Sequence, residues 1–304
     1  MKRFLFRLTL CFVVLAVICM IPCRVFEKKA RESTDVIPYS RINMAGNLNH
    51  ADADLIVLGN SRAVYSYNDS ILSAMTGKKC LNLGLTGYSF EFQYNVMYKR
   101  YLLHNDKPQI IIMEVGPVAF FKHIGNPYSL EMLPYVNQDD FKEYIAMCPE
   151  LTVADKIMFF RYFGKLDLVV KALCKFENHP KKDRLRTTNW ERENDSIRYG
   201  LEYDTAIVHL FCDFVDECNE QETKLILVCS PMHGDLGKRR YDIDNFWKII
   251  KHYVAGKNVS VLIYQDFFGS DISFFADPMH LNKQGKDLFT VQLAHDLDSL
   301  GLLE

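Results

Sequence analysis

Short, mostly apolar segments constrain the fold of this chain most strongly. Separated by polar or helix-length stretches, they lie at Leu55–Gly59, Lys79–Gly84, Gln109–Val115, Lys224–Cys229 and Val259–Tyr264. Runs without polar alternation are typical of strands that are covered on both faces, as in a parallel sheet. Because helix-length segments separate them, the pattern predicts right-handed βαβ units. We therefore expect a three-layer α/β/α domain with about five parallel strands.

The N-terminus predicts a transmembrane helix. Basic residues precede an almost uninterrupted apolar run from Leu8 to Cys23, and with Phe4–Phe6 the segment approaches the ~20 residues that cross a bilayer. It is either a cleaved signal peptide or a retained anchor. No small residues of a cleavage site follow the run, which favours the anchor.

The rest of the chain divides at changes of composition. We expect an anchor over residues 1–25, a polar stem over 26–50 and the α/β domain over 51–304, located in the periplasm or otherwise outside the cytoplasm. The aromatic stretch 117–222 interrupts the strand–helix alternation and becomes strongly polar from Asn178 to Arg198. It is interpreted as a helical insertion with an exposed loop, either a lid or partner surface or a solvated connection.

Composition excludes several classes of function. The net charge is −2, without the basic excess of a nucleic-acid-binding domain. Nine cysteines are scattered without a C-x-x-C motif, and the nine histidines show no metal-ligand spacing. The sequence therefore predicts no nucleic-acid partner, no metal site and no cofactor.

Two short polar motifs follow apolar segments and together suggest a serine nucleophile with its base. Gly59-Asn60-Ser61-Arg62 comes directly after the first predicted strand, and Asp277-Pro278-Met279-His280 precedes a predicted helix from about Asn282 to Asp298. A serine hydroxyl needs a base within hydrogen-bond reach, and that base needs a group that fixes its tautomer. His280 and Asp277 supply these groups. The alternatives are that Ser61 is only a helix N-cap and that His280 is an ordinary loop residue.

With Gly84 of Asn82-Leu83-Gly84, these motifs resemble the SGNH (GDSL-type) hydrolases in order and spacing. The resemblance implies a five-stranded parallel sheet, with Ser61, Asp277 and His280 as a catalytic triad. It also implies that the N–H groups of Ser61 and Gly84 form part of an oxyanion hole.

The chain departs from the family pattern in two places. Gly-Asp-Ser reads Gly59-Asn60-Ser61, and the third block, normally Gly-x-Asn-Asp, reads Gly116-Pro117-Val118-Ala119. The Asn donor of the oxyanion hole is thus missing at that place, a loss that can cost about 10²–10³ in rate where nothing replaces it. The motifs and the anchor resemble more closely the envelope branch, which includes alginate-type O-acetyltransferases and the teichoic-acid D-alanylation protein.

The resemblance implies an O-acyl esterase or acyltransferase that acts on a cell-envelope polysaccharide through an acyl-serine intermediate. The alternative is a non-catalytic scaffold or polymer-binding protein of the same fold. A membrane acyl-transfer partner is plausible by the same resemblance. Five further residues at predicted strand ends are candidates for contact with substrate: Asn60, Arg62, Asn82, Glu114 and His233. The alternatives are that Arg62 forms an ion pair, that Glu114 is a buried carboxylate with its own partners, and that His233 is an ordinary loop residue.

Overall fold

A computed structural model of the protein describes residues 1–33, 39–120, 131–148, 151–176, 204–234 and 243–304. The chain divides into two compact units. The first contains the described parts of Met1–Asn43 and Asn126–Lys182, and the second contains those of Met44–Gly125 and Asp183–Glu304. Each unit is therefore built from two separate stretches of sequence.

A five-stranded parallel sheet organises the second unit. The strands are β1 (Leu55–Leu58), β2 (Cys80–Asn82), β3 (Ile110–Glu114), β4 (Lys224–Cys229) and β5 (Val259–Ile263). Their order is β2-β1-β3-β4-β5, and every neighbouring pair is parallel. This sheet confirms the predicted α/β class. Because the strand order reverses between β1 and β3, their carboxyl ends border the crevice where ligands bind in such sheets.

Helices cover both faces of the sheet. Successive side chains of each strand point to opposite faces, so an apolar strand has apolar side chains to bury on both. One face packs against α3 (Ser61–Ser66), α4 (Asp69–Thr76) and α13 (Lys283–Ser299). The shared core includes side chains from three strands and from these helices: Leu55, Val57, Ile112, Val228, Tyr67, Leu72, Phe289 and Leu293.

The other face is covered by aromatic helices. The apolar spacing from Phe90 to His104 predicts a helix, and the structure has α5 (Phe90–Phe92), a π-helical turn at Gln93–Tyr98 and α6 (Lys99–Leu102) there. Phe90 contacts Phe211 and Phe214 of α11 (Thr205–Glu220) at ring-centroid distances of 5.5 and 5.6 Å. Helix α12 (Ile243–Val254) then precedes β5.

Between β5 and α13 the sequence predicts a loop over Asp266–Asp277 and no further strand. It contains the antiparallel pair β6 (Phe275–Asp277) and β7 (His280–Leu281). Strands of two and three residues are too short to produce a period in the sequence, so nothing in the pattern predicted them.

The first unit contains α1 (Lys2–Glu32), which is long and apolar enough to cross a membrane. The same unit holds four helices of the predicted insertion: α7 (Lys142–Ala146), α8 (Val153–Lys156), α9 (Met158–Arg161) and α10 (Leu166–Phe176). The end of α1 packs into this unit because Phe26 and Ala30 are fully buried. Glu27 forms a buried ion pair with Arg161 at 2.6 Å.

The structure has helices within two of the predicted segments, the stem and the insertion. The expected stem, residues 26–50, contains the last turns of α1 and helix α2 (Tyr39–Asn47). The expected insertion over 117–222 includes α11, which belongs to the layer beside β4 in the second unit. The polar segment Asn178–Arg198 lies outside the described residues.

Candidate active site

Ser61 is the first residue of α3, immediately beyond the carboxyl end of β1. The chain turns through Gly59, whose φ of +142° disfavours any residue with a side chain. A Cβ atom there would lie 2.7 Å from Cβ of Glu114, so the turn also lacks space for one. Asn60 caps the helix, since its Oδ1 accepts a hydrogen bond from Arg62 N–H at 3.0 Å. These local features fix Ser61 at the edge of the sheet.

Asp277 and His280 are held by the turn between β6 and β7. Oδ1 of Asp277 accepts hydrogen bonds from the backbone N–H groups of Met279 and His280, at 2.9 and 3.0 Å. Nδ1 of His280 lies 2.7 Å from Oδ2 of Asp277. Because Asp277 precedes His280 by three residues, its carboxylate can bond both the backbone and the side chain of His280 and thereby orients the imidazole.

The three predicted catalytic side chains come together in one hydrogen-bonded series. Nε2 of His280 lies 2.8 Å from Oγ of Ser61. With the Nδ1 proton donated to Asp277, Nε2 carries the lone pair and accepts the Ser61 hydroxyl proton. The arrangement has the distances that a serine nucleophile and its general base require.

The pKa of Asp277 favours the charged form. Burial raises it, but the hydrogen bond and charge of His280, together with two backbone N–H donors, outweigh burial and hold the pKa below its ordinary value of 3.8. Asp277 is therefore a carboxylate at neutral pH, which is the state that stabilises a His280 cation.

Tyr65 also lies at the site, although it belongs to none of the sequence motifs. Its ring stands edge-on to the His280 imidazole, with centroids 5.1 Å apart. Tyr65 follows Ser61 by four residues on α3, so both side chains lie on the same face of the helix. That spacing was the available sequence signal.

Helix α13 ties α3 to the chain segment that carries His280. Nζ of Lys286 donates to Val64 O at 3.0 Å, and the Thr290 hydroxyl donates to Ser66 O at 3.3 Å. These bonds satisfy carbonyl groups near the end of α3. They connect the element that presents Ser61 to the helix that directly follows His280.

The two predicted oxyanion donors differ in their availability. Ser61 N–H has no hydrogen-bond acceptor among the described residues. Gly84 N–H, in contrast, donates to Oδ1 of Asn82 at 2.9 Å. The glycine also allows close packing, because a Cβ there would lie 2.7 Å from Cβ of Ala63. In this structure Gly84 N–H is thus engaged by Asn82, and its role as an oxyanion donor stays a prediction.

Asn60 and Asn82, both candidates for substrate contact, are buried and shape the backbone of the site. Asn60 acts as the helix cap described above. The amide of Asn82 donates to the carbonyl oxygens of Ala63 and Tyr67, at 2.8 and 3.0 Å. Asn82 therefore links the loop after β2 to α3 instead of facing a ligand.

Arg62 and Glu114 form a buried ion pair beneath the site. Their side chains are only 2% and 1% exposed, and Nε of Arg62 lies 2.8 Å from Oε1 of Glu114. Glu114 also accepts from the Ser230 hydroxyl at 2.9 Å, from Ser230 N–H and from the Tyr67 hydroxyl. The pair thus joins the ends of β3 and β4 to α3. In this structure both side chains are buried in the ion pair, as the alternative to substrate contact predicts.

The charges of this network are mutually stabilised. Burial alone would lower the pKa of Arg62, but the charge of Glu114 raises it above its usual value. Burial and the neighbouring Glu114 raise the pKa of Tyr67, which therefore stays protonated and donates to that carboxylate. The network supports the backbone from which Ser61 projects.

His233 supports the loop that carries the triad base. Its backbone N–H donates to Pro278 O at 3.0 Å, and Nε2 lies 3.0 Å from Ser270 O. The ring packs against Phe275 at 5.6 Å. His233 is therefore close to the Asp277–His280 turn but is buried behind it. Within the described ranges, no group of three or more His, Cys, Asp or Glu side chains could hold a metal ion.

The chain matches no protein-family model and no curated protein. Among solved structures, it is similar to a family two carbohydrate esterase from Clostridium thermocellum solved with cellohexaose, at 9% identity and a TM-score of 0.42, over 82% of this chain and 65% of that one. It is also similar to the acetyl xylan esterase Est2A from the rumen bacterium Butyrivibrio proteoclasticus, at 11% identity and a TM-score of 0.37, over 81% and 64%.

A third similar structure comes from Desulfitobacterium hafniense and is described as a lipolytic protein of the G-D-S-L family. The identity is 12% and the TM-score 0.40, over 80% of this chain and 98% of that one. The chain spans less than two thirds of the length of the two esterases. The chemistry of this chain therefore has to be inferred from its own side chains.

Proposed function

We propose that the protein is a serine-dependent O-acyl esterase or acyltransferase. The observation that carries the proposal is the series Ser61–His280–Asp277, with 2.8 Å between Ser61 Oγ and His280 Nε2 and 2.7 Å between His280 Nδ1 and Asp277 Oδ2. A structural N-cap serine does not require a histidine at its hydroxyl, and a loop histidine does not require a carboxylate at Nδ1. Both together are what nucleophilic catalysis requires.

The proposed reaction has two steps. Ser61 Oγ attacks the acyl carbonyl carbon while Nε2 of His280 takes the hydroxyl proton, and the imidazolium then gives that proton to the leaving alcohol oxygen. Water, or a sugar hydroxyl, next attacks the acyl-Ser61 ester. His280 takes the proton of the attacking group and returns it to Oγ of Ser61. Throughout, Asp277 stabilises the imidazolium.

Charge on the carbonyl oxygen needs hydrogen-bond donors. Ser61 N–H supplies one, since it has no acceptor within the described ranges. Gly84 N–H becomes a second donor if the acyl oxygen displaces Oδ1 of Asn82, which now accepts from it at 2.9 Å. Weak stabilisation of the oxyanion predicts a slow enzyme, because one such donor contributes about 10²–10³ in rate.

The proposed substrate is an acylated polysaccharide of the cell envelope. Helix α1 supports this class, because it would retain the protein at a membrane surface outside the cytoplasm. The resemblance of the motifs to the envelope branch of the SGNH hydrolases supports it as well. A membrane protein that supplies the acyl group is part of the same proposal for the transferase reaction.

A specific observation favours the alternative, a non-catalytic scaffold or polymer-binding protein. Gly84 N–H is engaged by Asn82, and the segment Gly116-Pro117-Val118 lacks the asparagine donor of the family pattern. A fold that retained the triad for structural reasons would show both features. Turnover of an acyl ester distinguishes the enzyme from the non-catalytic protein.

The test is turnover of an activated acetyl ester by the purified full-length protein in detergent, with an acetylated oligosaccharide as second substrate. Ser61→Ala and the double variant Ser61→Ala/His280→Ala should lose activity to the same extent, because residues that act as a unit are not additive. Transfer to an added sugar acceptor, measured by mass spectrometry of the product, distinguishes transferase from esterase. Wild-type turnover equal to that of Ser61→Ala would favour the scaffold.

A further inference from the structure

An exposed aromatic cluster lies in the first unit, at the junction between α9 and α10. Phe159 contacts Phe160 and Phe163 at ring-centroid distances of 5.3 and 6.1 Å. Phe160 is 54% exposed and Phe163 is 72% exposed. We call these three residues the aromatic tip. Burial of a phenylalanine side chain contributes about 1.5–3 kcal/mol, so the two exposed rings that flank Phe159 leave a substantial gain unrealised.

The aromatic tip touches the apolar run of α1. The rings of Phe12 and Phe159 are 6.3 Å apart and stand edge to face. Phe12 lies eight residues after Phe4 and eleven before Cys23, which at about 1.5 Å per residue places it near the middle of the run. If α1 crosses a bilayer, Phe159 therefore lies at the depth of the acyl chains.

The backbone around the aromatic tip is suited to an apolar medium. Phe163 N–H donates to Phe160 O at 3.1 Å, and Lys165 N–H donates to Tyr162 O at 2.9 Å. These bonds pair two backbone N–H groups of the turn between α9 and α10, which lowers the cost of placing that turn in lipid. The nearby charge of Arg161 is buried against Glu27 at 2.6 Å. It therefore does not oppose insertion.

A partly open apolar cleft of about 210 Å³ lies between the aromatic tip and α1, beside the contact of Phe12 with Phe159. Its walls include Phe12, Leu15, Cys19, Phe163 and Leu166. A cleft with such walls offers water few hydrogen-bond partners, whereas an acyl chain fills it without loss.

We propose that the aromatic tip is a second membrane contact that inserts into the same bilayer as α1, with lipid acyl chains in the cleft. The proposal rests on the retention of α1 as an anchor, which forms part of the proposed function. The bilayer is favoured over a protein partner because the tip is continuous with a helix whose apolar length matches the bilayer.

The test places tryptophan in the aromatic tip of the full-length protein. Phe160→Trp and Phe163→Trp are reconstituted into phosphatidylcholine liposomes, with and without lipids brominated along the acyl chains, and compared with the parent protein. Lys142→Trp is the matched control, because Lys142 lies in the same unit and its side chain is 75% exposed. Pelleting of liposomes after an alkaline wash checks the anchor separately.

The expected result is a blue-shifted emission from both tip variants that brominated lipid quenches and aqueous iodide does not, whereas Lys142→Trp shows the reverse. Tip tryptophans that iodide quenches as strongly as the control would overturn the proposal, provided that the protein pellets with the liposomes. Protection from both quenchers would also overturn it, since the tip would then be covered by protein. Failure to pellet would instead refute the anchor.

Discussion

Removal of the buried charge of Glu114 should strongly destabilise the second unit. Glu114→Gln keeps the size of the side chain, so it creates no cavity, but it leaves the Arg62 guanidinium without its buried counter-ion. Glu114 is 1% exposed and receives hydrogen bonds from Arg62, Tyr67 and Ser230. Removing one partner of a buried ion pair costs about 3–5 kcal/mol. Because Gln retains one acceptor oxygen, we expect the lower half of that range.

The assay is urea unfolding of the detergent-solubilised protein, followed through the fluorescence of the buried Trp247. With an m-value of about 3 kcal/mol/M, a loss of about 3 kcal/mol lowers the midpoint by about 1 M. Lys283→Ala is the control, because it removes an exposed i,i+4 pair with Asp287 and should barely move the midpoint. A Glu114→Gln midpoint within the error of that control would refute the assigned role of the network.

Three further predictions concern the site and its supports. Asp277→Asn should make the free energy of unfolding fall less steeply in acid, because the pKa of Asp277 is lowered in the folded protein, so that its contribution is present above the ordinary value of 3.8 and is lost as pH falls through the folded value. The same steepness in the variant and the wild type would contradict this. Tyr65→Ala should lower kcat by roughly two- to tenfold, the equivalent of about 0.5–1.5 kcal/mol, because it removes the ring contact with His280. Tyr65→Phe keeps the ring and should recover kcat, so an equal loss in both variants would contradict the role of this contact. Gly59→Ala should lower the melting temperature more than Gly77→Ala, because both have positive φ but only Gly59 meets another side chain, at 2.7 Å.

The sheet could be predicted because its central strands β1, β3 and β4 are buried on both faces and therefore give apolar runs. Lys224–Cys229 is a strand with the predicted bounds, and the other four lie within their predicted segments. The short pair β6–β7 had no such signal, since three residues and two residues cannot show a period. The π-helical turn at Gln93–Tyr98 leaves the apolar spacing helix-like, so the pattern did not distinguish it.

The meeting of Ser61 with His280 was foreseeable from chain order and strand-end placement, because parallel strands bring their carboxyl ends to one edge. The pairing of Arg62 with Glu114 was not, because two charged residues at neighbouring strand ends serve equally well to bind a ligand or each other. Only the burial of both side chains decides. Gly84 illustrates the same limit, since a glycine that offers its N–H and one that permits close packing look identical in sequence.

The proposed nucleophile is tested most directly by labelling with a fluorophosphonate probe, followed by mass spectrometry of the modified peptide. The account predicts one adduct on Ser61, its loss in Ser61→Ala, and strongly slowed labelling in His280→Ala. Ser66→Ala is the matched control on the same helix and should label like the wild type. Absence of an adduct on folded wild-type protein, or labelling of Ser61→Ala at the wild-type rate, would contradict the central claim.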